Sequence, residues 1–207
     1  MSMLRLAVLG STRGTNLLHV IAAIEQQRLS AEIAVVLSDK RDAIILARAK
    51  EHHIPAYYVD SSDCSREAYD QRMTDTLLAH QVECILLVGY MRILSASFVE
   101  QWRHNILNVH PSLLPDFAGG MDRQVHQAVL DAKKQESGCT VHRVTEVVDA
   151  GPILIQKKCP VFVHDTVETL RERVQALEGP ALIEAIQTIK REKDDSKKHP
   201  TRVDFCI

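Results

Sequence analysis

Leu4-Arg5-Leu6-Ala7-Val8-Leu9-Gly10-Ser11-Thr12-Arg13-Gly14-Thr15-Asn16 joins a short apolar run to a glycine-punctuated loop. A run of this length that ends at a glycine reads as a buried strand. Leu17, Leu18, Val20, Ile21 and Ile24 then recur at helical spacing, so the chain passes from strand to helix through Gly10 to Asn16. The same unit repeats outward from there. Glu32 to Leu37 is a second buried strand, and Arg41 to His52 a helix with Asp42 near its start and Pro55 just beyond its end. Pro55 to Val59 is a third strand. A helix from Ser65 to about His80 opens on a Ser with an acidic residue close behind. Cys84 to Val88 is the most apolar strand and stops at Gly89. Strand and helix alternate to about residue 103. That order predicts an α/β fold: an open, mostly parallel, twisted sheet with right-handed crossovers and helices on both faces. Ligands of such sheets bind beyond the carboxyl ends of the strands, so the loops after Leu9, Val88 and Val109 are expected to share one crevice.

The second half changes character. Ile106 to Val109 is a short strand, and Asp122 to about Lys134 has a helical pattern. Thr140 to Val144 and Ile153 to Cys159 are strand-like around the turn Asp149-Ala150-Gly151-Pro152, which predicts an antiparallel pair added to the sheet. Thr166 to about Ile189 is a long amphipathic helix in which Gly179-Pro180 is expected to place a kink or break. The expected organisation is a single domain over 1–189 in two halves, one to about 103 and one over 104–189. A polar tail spans 190–207, where Val203, Phe205 and Ile207 are candidates for docking.

Composition narrows the function classes. Of 207 residues, 25% are charged and 45% apolar, and the formal net charge is -2, so no global field draws nucleic acid. The five cysteines, Cys64, Cys84, Cys139, Cys159 and Cys206, are odd in number and lack CxxC spacing, which points away from a disulfide framework or a zinc site. No apolar run approaches the roughly 20 residues that span a bilayer. Met1 to Leu9 has no basic region followed by an apolar stretch and a cleavage site. A cytoplasmic protein acting on small molecules, without metal, is the expectation.

Three places carry candidate chemistry. In the first loop, Gly10 and Gly14 allow close backbone approach, Arg13 brings charge, and Thr15 and Asn16 open a helix whose N–H groups and dipole favour an anion. The loop is neither GxGxxG nor GxxxxGK[ST], and an ordinary strand–helix turn with a capping Thr or Asn has the same pattern. In Asn108-Val109-His110, residues two apart point the same way, so an amide and an imidazole face one side at a strand end. An amide holds a carbonyl oxygen and an imidazole moves a proton at neutral pH, which together suit acyl transfer. A structural His at a strand end is the competing reading. Asp149 sits among turn formers, where Asp is favoured anyway; if it reaches His110, its charge raises that imidazole's pKa.

Taken with Gly89-Tyr90-Met91-Arg92-Ile93-Leu94-Ser95, Ile106-Leu107-Asn108-Val109-His110-Pro111-Ser112-Leu113-Leu114-Pro115, Ser65-Arg66-Glu67-Ala68-Tyr69-Asp70 and Val148-Asp149-Ala150-Gly151-Pro152-Ile153, the chain resembles the folate-dependent phosphoribosylglycinamide formyltransferase family from Leu4 to about Ile189. The resemblance implies a Rossmann-like formyltransferase fold. It also implies transfer of a formyl group from 10-formyltetrahydrofolate to the amine of 5'-phosphoribosylglycinamide, with a monomeric or homodimeric enzyme. By position it implies that Gly14, Thr15 and Asn16 hold phosphate and that Asn108, His110 and Asp149 are catalytic. Arg66 is implied to pair with the folate's glutamate tail. Met91, Arg92, Ile93 and Leu94 wall the pterin pocket, the loop of Thr145, Glu146, Val147, Val148 and Asp149 closes it, and Gln175 and Glu178 lie near the acceptor.

The chain also departs from that pattern. The phosphate loop commonly reads like SGNGSN; Thr12 and Arg13 stand here where a Gly and an Asn are usual. Thr12 reduces backbone freedom. The spacing between Pro115 and His126 is longer than usual by about three residues. Formyltransferases acting on methionyl-tRNA or amino sugars share the Asn-x-His strand but usually carry a further C-terminal domain, and formylfolate hydrolases a further N-terminal one. A phosphate-binding regulatory module would need the Gly14 loop but not Asn108, His110 and Asp149.

Overall fold

Along β1 (Leu4–Leu9), alternate side chains enter opposite cores in the computed structural model, which describes residues 3–198. Leu4, Leu6 and Val8 join one apolar cluster, and Ala7 and Leu9 join the other. That is the period of a strand covered on both faces, and it explains why the run shows no polar alternation. The remaining elements follow the alternation: α1 (Thr15–Glu25), β2 (Ala31–Ser38), α2 (Ile44–Glu51), β3 (Ala56–Tyr58), α3 (Arg66–Ala79), β4 (Cys84–Leu87), α4 (Ala96–Gln101), β5 (Ile106–His110), α5 (Arg123–Asp131), β6 (Glu136–Arg143), β7 (Ile153–Pro160) and α6 (Val167–Lys198). Helices α1, α2, α5 and α6 supply the first cluster, and α3 and α4 the second.

The strands form one seven-stranded sheet in the order β3-β2-β1-β4-β5-β6-β7. β1 to β5 are mutually parallel, and the pairs β5–β6 and β6–β7 are antiparallel. This is the expected mostly parallel sheet with an antiparallel addition. A bulge in β2 keeps both faces apolar: Leu6 pairs with Ile33 and Ala7 with Val35, so Ala34 is the extra residue. Chain order reverses at β1, with β2 on one side and β4 on the other. The carboxyl ends of β1 and β4 therefore flank a topological switch point.

Several boundaries differ from the sequence reading. β6 begins at Glu136 rather than Thr140, because its first residues pair with the far end of β7: Glu136 lies opposite Pro160 and Ser137 opposite Cys159. Gly179-Pro180 does not break α6. Leu170, Val174, Ala181, Leu182, Ala185, Ile186 and Ile189 form one buried stripe through it, and that packing outweighs the bond that Pro180 cannot make. Gly179 is needed there because α1 crosses closely; a Cβ would lie 2.2 Å from His19 Nδ1. The helix also runs on through 190–198, where a polar tail was expected. Ion pairs of Lys190 with Asp194 (2.9 Å), Arg143 with Glu192, and Lys197 with Glu83 (3.6 Å) hold this polar stretch as helix. Val203, Phe205 and Ile207 lie outside the described residues.

Cys64, Cys84, Cys139 and Cys159 are free thiols and all but Cys64 are buried. Among the described residues no helix is long and apolar enough to cross a membrane.

Candidate active site

The loops after β1, β4 and β5 share one cavity of about 450 Å³ at the switch point. Residues 12–16, 87–94 and 108–111 line it together with parts of α5, α6 and the β6–β7 connection. The loops are joined to each other: the Ser11 N–H donates to the Gly89 carbonyl (3.1 Å), and the Met91 N–H donates to Ser11 Oγ (2.9 Å). Thr12 fits over Gly89, where a Cβ would lie 2.4 Å from Thr12 Oγ1. Gly14 takes a left-handed backbone, φ 68, and caps α1 without a side-chain cap of any kind.

Asn108 and His110 point from β5 into the cavity, and Asp149 meets them from the turn before β7. Asp149 has φ 55, a conformation that Asp tolerates better than most residues. The turn thus places the carboxylate as well as reversing the chain. Asp149 Oδ2 lies 3.2 Å from His110 Nδ1, and Asp149 Oδ1 accepts from Asn108 Nδ2 at 3.4 Å. Two backbone groups from the long loop after Pro115 complete the set. The Gly119 N–H donates to Asp149 Oδ2 (2.8 Å), and the Phe117 carbonyl lies 3.1 Å from His110 Nε2.

A fourth side chain belongs with these. His142 pairs directly with Asn108 across β5 and β6, so the two share a face. Its Nε2 is 3.1 Å from Asn108 Nδ2 and 3.4 Å from Asp149 Oδ1, and its Nδ1 is 3.0 Å from the Arg143 carbonyl. That carbonyl accepts only from a donor, which puts a proton on Nδ1, so Nε2 is the atom that faces both the Asn108 amide and the Asp149 carboxylate. Thr140, opposite His110, braces the turn beyond it: Thr140 Oγ1 donates to the Ser112 carbonyl (2.7 Å) and accepts from the Leu114 N–H (3.0 Å).

Burial pushes the His110 pKa below its ordinary value; Asp149 and the Phe117 carbonyl oppose that push without overcoming it. The Asp149 charge acts upward on this imidazole, and desolvation is the larger effect. Burial by itself would raise Asp149, yet hydrogen bonds from His142 and Gly119 and the two imidazoles bring it below the ordinary carboxylate value. On α6, burial pushes Glu178 up to about 7, although Asn16 Nδ2 donates to its Oε2 at 2.9 Å.

Of the remaining candidates, Arg13, Thr15, Met91, Ile93, Leu94, Thr145, Glu146, Val148 and Gln175 line the cavity, whereas Arg66 and Val147 do not. Arg66 is the exposed first residue of α3. Arg92 reaches the wall, but its guanidinium lies over the Tyr69 ring at 4.5 Å and donates to Ser61 Oγ. His126 and the ion pair Arg171–Asp122 (2.8 Å) also line the cavity, and the sequence reading assigned them nothing. His126 is 1% exposed, and its Nδ1 has no partner among the described residues.

The model of the formyl transferase family matches residues 4–186. The chain belongs to this family. It is 40% identical over 177 residues to the phosphoribosylglycinamide formyltransferase of Haemophilus influenzae, an alignment covering 85% of the chain and 82% of that relative. It is 43% identical over 186 residues to the trifunctional purine biosynthetic protein adenosine-3 of Gallus gallus, covering 89% of the chain but only 18% of that longer protein. Among solved structures, glycinamide ribonucleotide transformylase 1 from Symbiobacterium toebii is similar with a TM-score of 0.85 at 39% identity, covering 89% of the chain and 86% of the other. The β1 loop, the β5 pair and the Asp149 turn all fall inside the matched span.

Proposed function

We propose that the chain transfers the formyl group of 10-formyltetrahydrofolate to the amine of 5'-phosphoribosylglycinamide. One observation carries this reading: an amide, an imidazole and a carboxylate converge in a cavity whose other end is a helix-start loop suited to phosphate. The lining is suited to both partners. Met91, Ile93 and Val148 present exposed apolar surface at its wall, which suits a flat aromatic ring system. Residues 13–16 with Gln175 and Glu178 offer polar contacts for a phosphorylated acceptor. Arg66, exposed at the start of α3 and outside the lining, is assigned to the anionic glutamate tail by its match to the family pattern.

The chemistry follows from the residues. As the amine attacks the formyl carbon, negative charge grows on the formyl oxygen, which replaces the Phe117 carbonyl at His110 Nε2 and His142 at Asn108 Nδ2, so that both groups donate to it. His110, depressed by burial, takes up a proton as that charge develops beside it, and Asp149 stabilises the imidazolium. The amine gives up one proton and the folate nitrogen gains one when its C–N bond breaks, and the His110–Asp149 pair carries it between them. His142 and the Gly119 N–H keep Asp149 ionised and aimed. Holding amine and formyl donor together supplies much of the rate.

A formyl-transfer assay that follows folate absorbance tests this. Turnover should require both substrates, and His110→Ala and Asp149→Asn should each lower kcat by about a hundredfold or more. Near-normal turnover in either variant sinks that residue's role. Formate release without the amine would mark water as the acceptor instead.

A further inference from the structure

The loop between β1 and α1 is held from its outer side by α2. The Thr12 carbonyl accepts from the Ile45 N–H in the first turn of α2 (3.2 Å), and the Arg13 carbonyl accepts from Arg48 Nη1 (2.8 Å). A trans peptide sends a carbonyl and the following N–H in opposite directions. The N–H groups of Arg13 and Gly14 are therefore turned away from α2, and neither meets an acceptor among the described residues. Thr12, Arg13 and Gly14 line the cavity on that other side. The Ile45 side chain closes the gap behind them: a Cβ at Gly10 or Gly14 would lie 2.5 or 2.4 Å from it. Carbonyls turned out and N–H groups turned in make a concavity that attracts an anion, whereas a carbonyl turned in repels one.

We propose that Arg48 is a positioning residue for anion binding. By holding the Arg13 carbonyl outward, its guanidinium fixes the Gly14 N–H toward the phosphomonoester end of the acceptor. The inference rests on the reading of this loop as the phosphate site and adds a residue that does not itself line the cavity. It also accounts for the unusual Thr12-Arg13 pair: a loop with less glycine keeps its shape because its carbonyls are tied from behind.

The test uses the full chain with Arg48→Met and Arg48→Lys. Inorganic phosphate binding is titrated by calorimetry, and steady-state constants are measured for the phosphorylated acceptor, its dephosphorylated form and formylfolate. Arg48→Met should weaken phosphate binding and raise the acceptor KM by about tenfold each. The KM for formylfolate, kcat, and kcat/KM for the dephosphorylated acceptor should stay within about twofold, and Arg48→Lys should restore part of the loss. A lowered melting temperature with unchanged phosphate affinity and acceptor KM would mean that Arg48 only braces the fold, and overturns the proposal. Equal loss with the dephosphorylated acceptor overturns it too. Wild-type protein that turns over the acceptor but shows neither phosphate binding nor preference for the phosphorylated form removes the phosphate reading itself, and this inference with it.

Discussion

Replacing Glu178 by glutamine probes the electrostatics of the cavity most directly. The carboxyl, ordinarily near 4.5, is pushed up to about 7 by burial, against the hydrogen bond from Asn16. A folded-state value above the unfolded one means that the folded chain binds more protons between these limits. Stability from this group is therefore highest in acid, falls as pH rises through the window, and is lowest above it. At roughly 1.4 kcal/mol per pH unit the penalty is at most about 3.5 kcal/mol, and about 2 kcal/mol once solvent relaxation at the cavity wall is allowed for. Glutamine keeps the shape and an amide oxygen for Asn16 but does not ionise. The two proteins should unfold at nearly equal free energy near about pH 4, and the variant should be about 2 kcal/mol more stable near about pH 8.5. For a chain of this size that is about 4–8 °C in Tm. His110 and His126 titrate with the opposite sign: burial lowers both, so stability from them falls as pH drops below about 6.5. They are common to both proteins and cancel in the difference. Urea unfolding across this pH range reads the effect, and the acceptor KM should rise in the same variant while the formylfolate KM holds. A difference that is flat with pH, or a variant less stable at high pH, refutes the burial argument.

Gly14→Ala should destabilise by about 2–4 kcal/mol in urea, from a left-handed backbone and from overpacking onto Ile45, whose Cγ1 would lie 2.4 Å from the new Cβ. A loss under about 1 kcal/mol would mean that the loop yields more than its contacts suggest. His142→Phe should lower kcat/KM by about tenfold to a hundredfold, because Asn108 and Asp149 each lose a buried partner. Its activity should also fade at a higher pH than wild type on acidification, as Asp149 loses a hydrogen bond that holds its pKa down. An unshifted acid limb would detach His142 from Asp149.

The legible part of this protein is the part where chemistry is local. The run from Leu4 to Leu9 carries strand and loop in consecutive residues, and Asn108 and His110 share a face by strand period alone. His142 was hidden because its meaning lies across the sheet. Only the β5–β6 register, with Asn108 opposite His142, makes it a neighbour, and that register depends on where β6 begins. The same holds for α6. Its Gly179-Pro180 step looks like a break in isolation, and only the stripe it buries against the sheet and the close passage of His19 show why the helix continues. No motif marks Arg48, because its bond to the Arg13 carbonyl joins residues 35 apart that only the fold brings together.

The long loop after Pro115 was illegible for a different reason. Its contribution comes from the main chain: the Phe117 carbonyl at His110 Nε2 and the Gly119 N–H at Asp149 Oδ2. Any residue supplies the carbonyl and any but proline the N–H, so no side-chain motif marks them. Conformation marks them instead, since Phe117 (φ 60), Gly119 (φ 76) and Asp122 (φ 38) all take left-handed backbone within six residues. The loop is tied down at both ends, by Lys134 to Asp116 (2.7 Å) and by Arg171 to Asp122 (2.8 Å). It follows that side-chain truncation inside the loop will understate its importance, whereas cutting its anchors will not. The imidazole and carboxylate that the sequence makes most visible are thus oriented by the backbone of the segment that the sequence makes least visible.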